Sequence, residues 1–280
     1  MPIKFKIFFF SLFLSVFSLA QEKSKQTTFP NKKGKFYLSW GWNRANYSKS
    51  DIAFSGPDHD FVLKDVVASD EPEENFGFKS HLNPFRITVP QTNFKLGYFL
   101  NETYSISIGF DHMKYVVNSP QTVIINGSIS DNSAYDGTYL NQPITIEEGF
   151  LEYEYTDGLN YVNIELNRFD NMKFIKTNPD KIYFSSVIGV GSGIIFPRTD
   201  ATLLDRPNSD NYHVSGFGLS TNLGLNITFL KHFFAQGELK GGYINMFNSK
   251  TTNRNSDRAK HHFFFFQRVL VFGARFNLFN

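Results

Sequence analysis

The stretch from His262 to Asn280 constrains this chain most, because its residues alternate between two kinds of face. Phe264, Phe266, Leu270, Phe272, Ala274, Phe276 and Leu278 fall on one parity, and Gln267, Arg275 and Asn277 on the other. In a β-strand successive side chains point to opposite faces. An apolar outer face and a polar inner face over so long a run suit a wall with lipid on one side and water on the other.

The amino terminus sets the compartment. Lys4 and Lys6 form a positive n-region, Ile7 to Leu19 an apolar h-region, and Ser18-Leu19-Ala20 a small-x-small cleavage site. This is the pattern of a Sec signal, with cleavage expected after Ala20. About fourteen apolar residues are too few to cross a bilayer core of about 30 Å, so a membrane anchor is the weaker reading. Residues 21–34 are then expected as a periplasmic extension and 35–280 as a single β domain. No other segment approaches a membrane-spanning apolar run, which excludes a helical membrane protein.

Composition narrows the classes further. Cysteine is absent, so there is no disulfide framework, thiolate metal site or lipidated cysteine. A net charge of +2 argues against a nucleic-acid partner. With 33 Phe and 13 Tyr the chain is rich in aromatics, Phe for lipid-facing bulk and Tyr for the interfacial girdles.

The same alternation recurs along the chain. Phe36, Leu38, Trp40 and Trp42 oppose Tyr37, Ser39, Gly41 and Asn43; Phe94 to Leu100 and Ser105 to Asp111 follow the same rule. Further strands are expected around Val162–Asn167, Phe184–Phe196, Gly216–Phe229 and Phe233–Tyr243, so that His262–Asn280 makes eight. Glycines at 189, 191 and 193 sit on an inner face, where a small barrel leaves little room. They are not a phosphate-binding loop, because such a loop opens a helix.

Connections alternate in length. Asn101-Glu102, Asn178-Pro179-Asp180 and Lys231-His232 are short, whereas 47–90, 118–159, 197–211 and 248–261 are long and polar. Outer-membrane barrels carry short turns in the periplasm and long loops outside. Leu151, Tyr153 and Tyr155, followed by Asp157-Gly158, read as strands of the second long loop above the membrane. A ten-stranded barrel is the competing reading, and a soluble β-sandwich a more distant one.

On the signal Met1–Ala20, the eight alternating segments and the terminal Phe276-Asn277-Leu278-Phe279-Asn280, the chain resembles the small bacterial outer-membrane β-barrel proteins, the OmpA-, OmpX- and OmpW-type group. The resemblance covers nearly all of the mature chain; Asn280 departs from the usual terminal aromatic. It implies an all-β, antiparallel up-and-down barrel of eight strands in a Gram-negative outer membrane; because the sequence stops at the barrel's last strand, no peptidoglycan-binding domain is expected. It also implies insertion by the barrel assembly machinery; contact with lipid and lipopolysaccharide, a monomeric state and no cofactor are further expectations. Members of this group do unrelated things, so the fold alone does not name an activity.

Several residues are candidates for chemistry. Lys95, Asp111, Glu165, Glu238, Lys240 and Arg275 fall on the lumen face. Opposite charges there are expected to pair as a salt-bridge plug; a narrow polar pore is the functional alternative. His213 and Ser215 look like the His-x-Ser pair of lipid A deacylase barrels, in which histidine activates a serine nucleophile. The acidic partner which that family supplies from the next strand is missing here. By parity with Phe217 both side chains are expected to face lipid at the outer rim. Asp58-His59-Asp60 with Asp65, and Asp70, Glu71, Glu73 and Glu74, lack a calcium-loop spacing and read as solvated loop charges. His261 and His262 point to opposite faces, which argues against a shared metal.

The leading expectation is a non-enzymatic envelope protein whose long loops bind an extracellular ligand of unknown identity. Those loops carry Tyr47, Phe54, Phe61, Val62, Leu63, Tyr135 and Tyr139. A narrow porin-like channel or small-molecule conduit of the OmpW kind comes second, and lipid A deacylation third.

Overall fold

The computed structural model describes residues 28–70, 91–155 and 158–278. The signal, residues 21–27 of the extension, Glu71, Glu73, Glu74, Asp157 and Phe279 lie outside them. The described residues form β1 (Phe36–Tyr47), β2 (Ser50–Gly56), β3 (His59–Val66), β4 (Ala68–Ser69), β5 (Thr92–Phe99), β6 (Tyr104–Met113), β7 (Val116–Val117), β8 (Gln121–Ile129) and β9 (Gly137–Ile146). After these come β10 (Leu151–Glu154), β11 (Leu159–Asn171), β12 (Ile182–Ile195), β13 (Asp200–Leu203), β14 (Arg206–Ser209), β15 (Gly216–Phe229), β16 (Phe233–Lys250) and β17 (Arg258–Phe276).

Eight strands pair antiparallel in the order β1, β5, β6, β11, β12, β15, β16, β17, and β17 pairs back onto β1 from Phe36↔Phe276 to Tyr47↔Phe265. The ring is closed, so no edge is left for lipid to meet. It has eight strands, not ten: Leu151–Glu154 pairs with β13 and β7 above the ring. Leu96, Ile108, Ile164, Val190, Leu223 and Phe272 point outward and are exposed, an apolar belt that lipid covers. On β17 the inner face is not uniformly polar, since Phe263, Phe265, Val269 and Val271 are buried inside beside Gln267 and Arg275.

Turns at one end are tight. Asn101 Oδ1 accepts the backbone N–H groups of Thr103 and Tyr104, each at 2.8 Å. Between β15 and β16, Leu230 and Lys231 adopt φ of 50° and 66°, the left-handed geometry that matches a hairpin's twist.

At the other end the described parts of the long connections fold into strands. The hairpins β2–β3 and β8–β9 extend from the upper part of β17, and β14, β13, β10, β7 and β4 make a second sheet. β16 and β17 run on past the barrel into this cap. Ile52, Phe54, Phe61, Leu63, Ile125, Phe150, Leu151 and Tyr153 pack there in an apolar core that continues down to Tyr161 and Phe265 in the barrel mouth. Phe54, Phe61 and Leu63, expected as loop residues open to a ligand, are therefore cap core. Period-two burial in these hairpins is driven by the same hydrophobic effect as in the ring, with protein in place of lipid. Asp58 ties the cap's tips: its carboxylate meets Arg206 at 2.9 Å and Arg254 at 2.5 Å, and Arg206 also meets Asp131 at 3.0 Å.

Candidate functional site

The lumen is filled by layers of side chains. Next to the tight turns, Tyr37, Phe99, Phe169, Val187 and Phe234 form an aromatic layer. The Arg275 guanidinium lies among these rings, 5.4 Å from the Phe99 centroid and 5.2 Å from that of Phe234. It donates to Tyr183 Oη at 2.6 Å and to Thr228 Oγ1 and Asn226 Oδ1 at 3.0 Å. No carboxylate meets Arg275 among the described residues. From below, Lys32 lies over Phe99 and Phe169 and donates to Asn171 Oδ1 at 3.1 Å, so the amino-terminal segment packs into the barrel's base. Burial, and then the Arg275 charge, lower the Lys32 pKa to about 8.

The second layer is ionic. Lys95 Nζ lies 2.9 Å from both Glu165 Oε2 and Glu238 Oε2. Lys240 Nζ lies 2.6 Å from Glu165 Oε1 and also pairs with Asp111. Asp111 accepts from Asn93 at 2.6 Å, and Asn93 in turn accepts from Asn43 at 2.7 Å. These five charged groups carry one excess negative charge. Arg275 is linked to them by a relay, Asn226 to Gln236 at 2.7 Å and Gln236 to Glu238 at 2.5 Å. All six lumen residues singled out in the sequence are buried. Five meet directly, and Arg275 stands one layer lower.

Small residues make room for this network. A Cβ on Gly189 would lie 2.0 Å from Asn167 Oδ1, and one on Gly191 would lie 2.7 Å from Ser220 Oγ. Asn93, Asn163, Asn226 and Gln236 complete the hydrogen bonding. Their parity placed them on the inner face, but nothing in the sequence distinguished them from filler.

At the rim, Ser215 Oγ lies 2.9 Å from His213 Nε2, and Asp210 Oδ2 lies 3.1 Å from His213 Nδ1. Asp210 is the acidic neighbour that a search of the next strand misses, because it stands three residues upstream on the same connection. Two further contacts change the meaning of the trio. His213 Nε2 also faces the Asn248 carbonyl at 2.8 Å and Nδ1 the Asn211 carbonyl at 3.1 Å, so backbone oxygens compete with Ser215 and Asp210 for the single N–H of a neutral ring. Ser215 is fully buried and does not face lipid. β15 opens only at Gly216, so strand parity does not govern Ser215.

In the cap, the Asp58 carboxylate is pushed up by burial but held well below the usual range by hydrogen bonds from Arg206, Arg254 and His59. It is thus engaged by arginines and is not a loop charge left to solvent. Asp70 accepts from Ala45 N at 2.9 Å and from the Gln91 side chain. His261 is buried and His262 exposed, on opposite faces. His261 Nε2 meets Tyr155 Oη at 3.0 Å, and burial lowers its pKa to about 3.

No protein-family model matches the chain. No curated protein matches it. Among solved structures it is similar to the outer membrane protein OprG from Pseudomonas aeruginosa, at 11% identity and a TM-score of 0.41, over 89% of this chain and 98% of that one. It is similar also to the outer membrane protein AlkL, at 10% identity and a TM-score of 0.40, over 93% and 98%. Neisserial surface protein A is similar at 9% identity and a TM-score of 0.36, over 87% and 100%. The barrel itself rests on the strand pairing, not on these likenesses. By that pairing the chain is an eight-stranded antiparallel transmembrane β-barrel with a folded cap, similar to the small bacterial outer-membrane barrel proteins.

Proposed function

We propose that this protein is a non-conducting, non-enzymatic barrel of the bacterial outer membrane that works through its cap at the cell surface. In this reading the tight turns face the periplasm, the chain arrives by the Sec pathway with its signal removed after Ala20, the barrel assembly machinery inserts it, and it stands as a monomer. The observation that carries the proposal is the filled lumen. An aromatic layer, a paired ionic layer and the apolar cap core follow one another along the axis, where a channel needs a continuous polar path. An eight-stranded ring is only just wide enough for its own side chains. The cap then offers the surface through which a ligand is bound.

Planar-bilayer recordings of the refolded mature chain test this reading. Silence is the expected result, and discrete openings would overturn it in favour of transport. The His213–Ser215 pair reads as a rim latch, because both ring nitrogens already face carbonyl oxygens and the hydroxyl is buried. Lipopolysaccharide incubated with the folded protein is expected to keep its acyl chains. Acyl release that disappears in Ser215→Ala would establish the deacylase reading instead.

A further inference from the structure

Two arginines interrupt the apolar belt on the outer wall where β1 meets β17. Arg44 on β1 and Arg268 on β17 are direct cross-strand partners. Arg44 shares its face with Leu38, Trp40 and Trp42, and Arg268 shares its face with Phe266, Leu270 and Phe272, so both point outward. Side chains so paired start about 5 Å apart, and like charges there repel. Among the described residues neither guanidinium pairs with a carboxylate. Among these residues Arg44 donates to the neighbouring Asn43 carbonyl, at 3.1 Å. Asp70, whose carboxyl feels both charges, has its oxygens engaged by Ala45 and Gln91.

The pair stands eight positions from the tight-turn ends of both strands, Phe36 and Phe276. With the rise and tilt of barrel strands this is ~20 Å along the membrane normal, near the cap-side edge of an apolar band ~25 Å tall. Headgroup phosphates begin at that level. Directly beneath the pair the wall is dented. In the row Leu225, Gly237, Leu270, Trp42 the outward position on β16 has no side chain, and a Cβ on Gly237 would meet nothing within 4 Å. The resulting groove, about 1080 Å³, is lined by Leu225, Leu239, Leu270 and Phe272 and is capped by the two arginines.

We infer that Arg44 and Arg268 clamp the phosphate of a phosphorylated, acylated glycolipid of the outer leaflet, with one acyl chain lying in the Gly237 groove. Guanidinium groups suit this task because their planar forks match phosphate oxygens, and an anion between them relieves their mutual repulsion. The inference rests on the proposed orientation, with the cap outside, but not on whether the lumen conducts.

Native mass spectrometry of the full mature chain, released from phosphatidylcholine nanodiscs carrying bisphosphorylated lipid A, tests it. One lipid A is expected to stay bound, with affinity falling on the order of tenfold or more in Arg44→Gln/Arg268→Gln. A fully dephosphorylated lipid A should bind the wild type as weakly as the double variant binds lipid A. Gly237→Leu, which fills the groove and leaves both arginines, should also weaken binding. All variants are expected to keep the heat-modifiable gel shift of a folded barrel, because the changes lie on the outer face. Equal retention by wild type and double variant, or indifference to the phosphates, would overturn the inference. Equal retention of phosphatidylglycerol would overturn the choice of glycolipid. A conducting protein that still holds lipid A would sink the proposed function and leave this site standing.

Discussion

Lys95 and Glu238 stand 143 residues apart in the chain, yet the Lys95 ammonium reaches both oxygens of the Glu238 carboxylate, at 3.0 and 2.9 Å. The contact crosses the lumen, since β5 and β16 are not neighbours in the ring. Glu238→Gln would leave Lys95 with Glu165, which Lys240 already shares. Removing one partner of a buried pair costs roughly 3–5 kcal/mol, whereas replacing both with apolar residues costs far less. Urea unfolding of the refolded barrel is therefore expected to show a large loss for Glu238→Gln and a smaller one for Lys95→Met/Glu238→Leu. Equal losses in the two variants would mean that the pair does not act as a unit.

Two glycines separate the faces of the wall. Gly189 points into the lumen, where a Cβ would overlap Asn167 Oδ1 at 2.0 Å, whereas Gly237 points outward into open groove. Gly189→Ala is expected to destabilise by about 1–3 kcal/mol, the usual penalty for overpacking. Gly237→Ala is expected to stay within about 0.5 kcal/mol of wild type. The same unfolding titration reads both. Equal effects would mean that the lumen is looser than the Asn167–Asn222 contact at 3.0 Å implies.

The ring was legible because lipid and lumen impose opposite demands on alternate residues. Phe264, Phe266, Leu270 and Phe272 announce themselves as an outward face without any neighbour being known. The lumen charges were legible for the same reason: Lys95, Glu165 and Glu238 are too costly to put in lipid. What the pattern hid was everything set by more distant pairing. Phe54 and Phe61 alternate with polar residues as a barrel strand does, but whether their apolar side meets lipid, water or a cap depends on β2 pairing with β17, about 200 residues away. Asp210 reached His213 through a non-strand connection, where periodicity says nothing. Arg268 was masked by the Phe-rich run around it, and it gains meaning only beside Arg44, its partner across the closure of the barrel.

The cap should lose stability in acid because of one residue. His261 lies in the part of β17 that pairs with β2 above the ring, packed against Tyr115, Tyr155 and Phe263. Burial lowers its pKa to about 3, so the folded cap holds it neutral, while in the unfolded chain it takes a proton near pH 6.5. A depressed value of this kind contributes stability that is fully present above about pH 6.5 and is lost as pH falls toward 3, because the unfolded state binds the proton first. The titratable groups packed on the ring from other segments are the Tyr115, Tyr153 and Tyr155 hydroxyls, none of which supplies a negative charge near neutrality. Hydrogen exchange across β2 and β3, followed from pH 7 to pH 4, should show weakening protection in the wild type, after correction for the intrinsic rates. In His261→Phe that slope should flatten, since the substituted ring has no proton to take up. An unchanged slope would assign the acid sensitivity of the cap to its carboxylates, with Asp58 and its two arginines the first to examine.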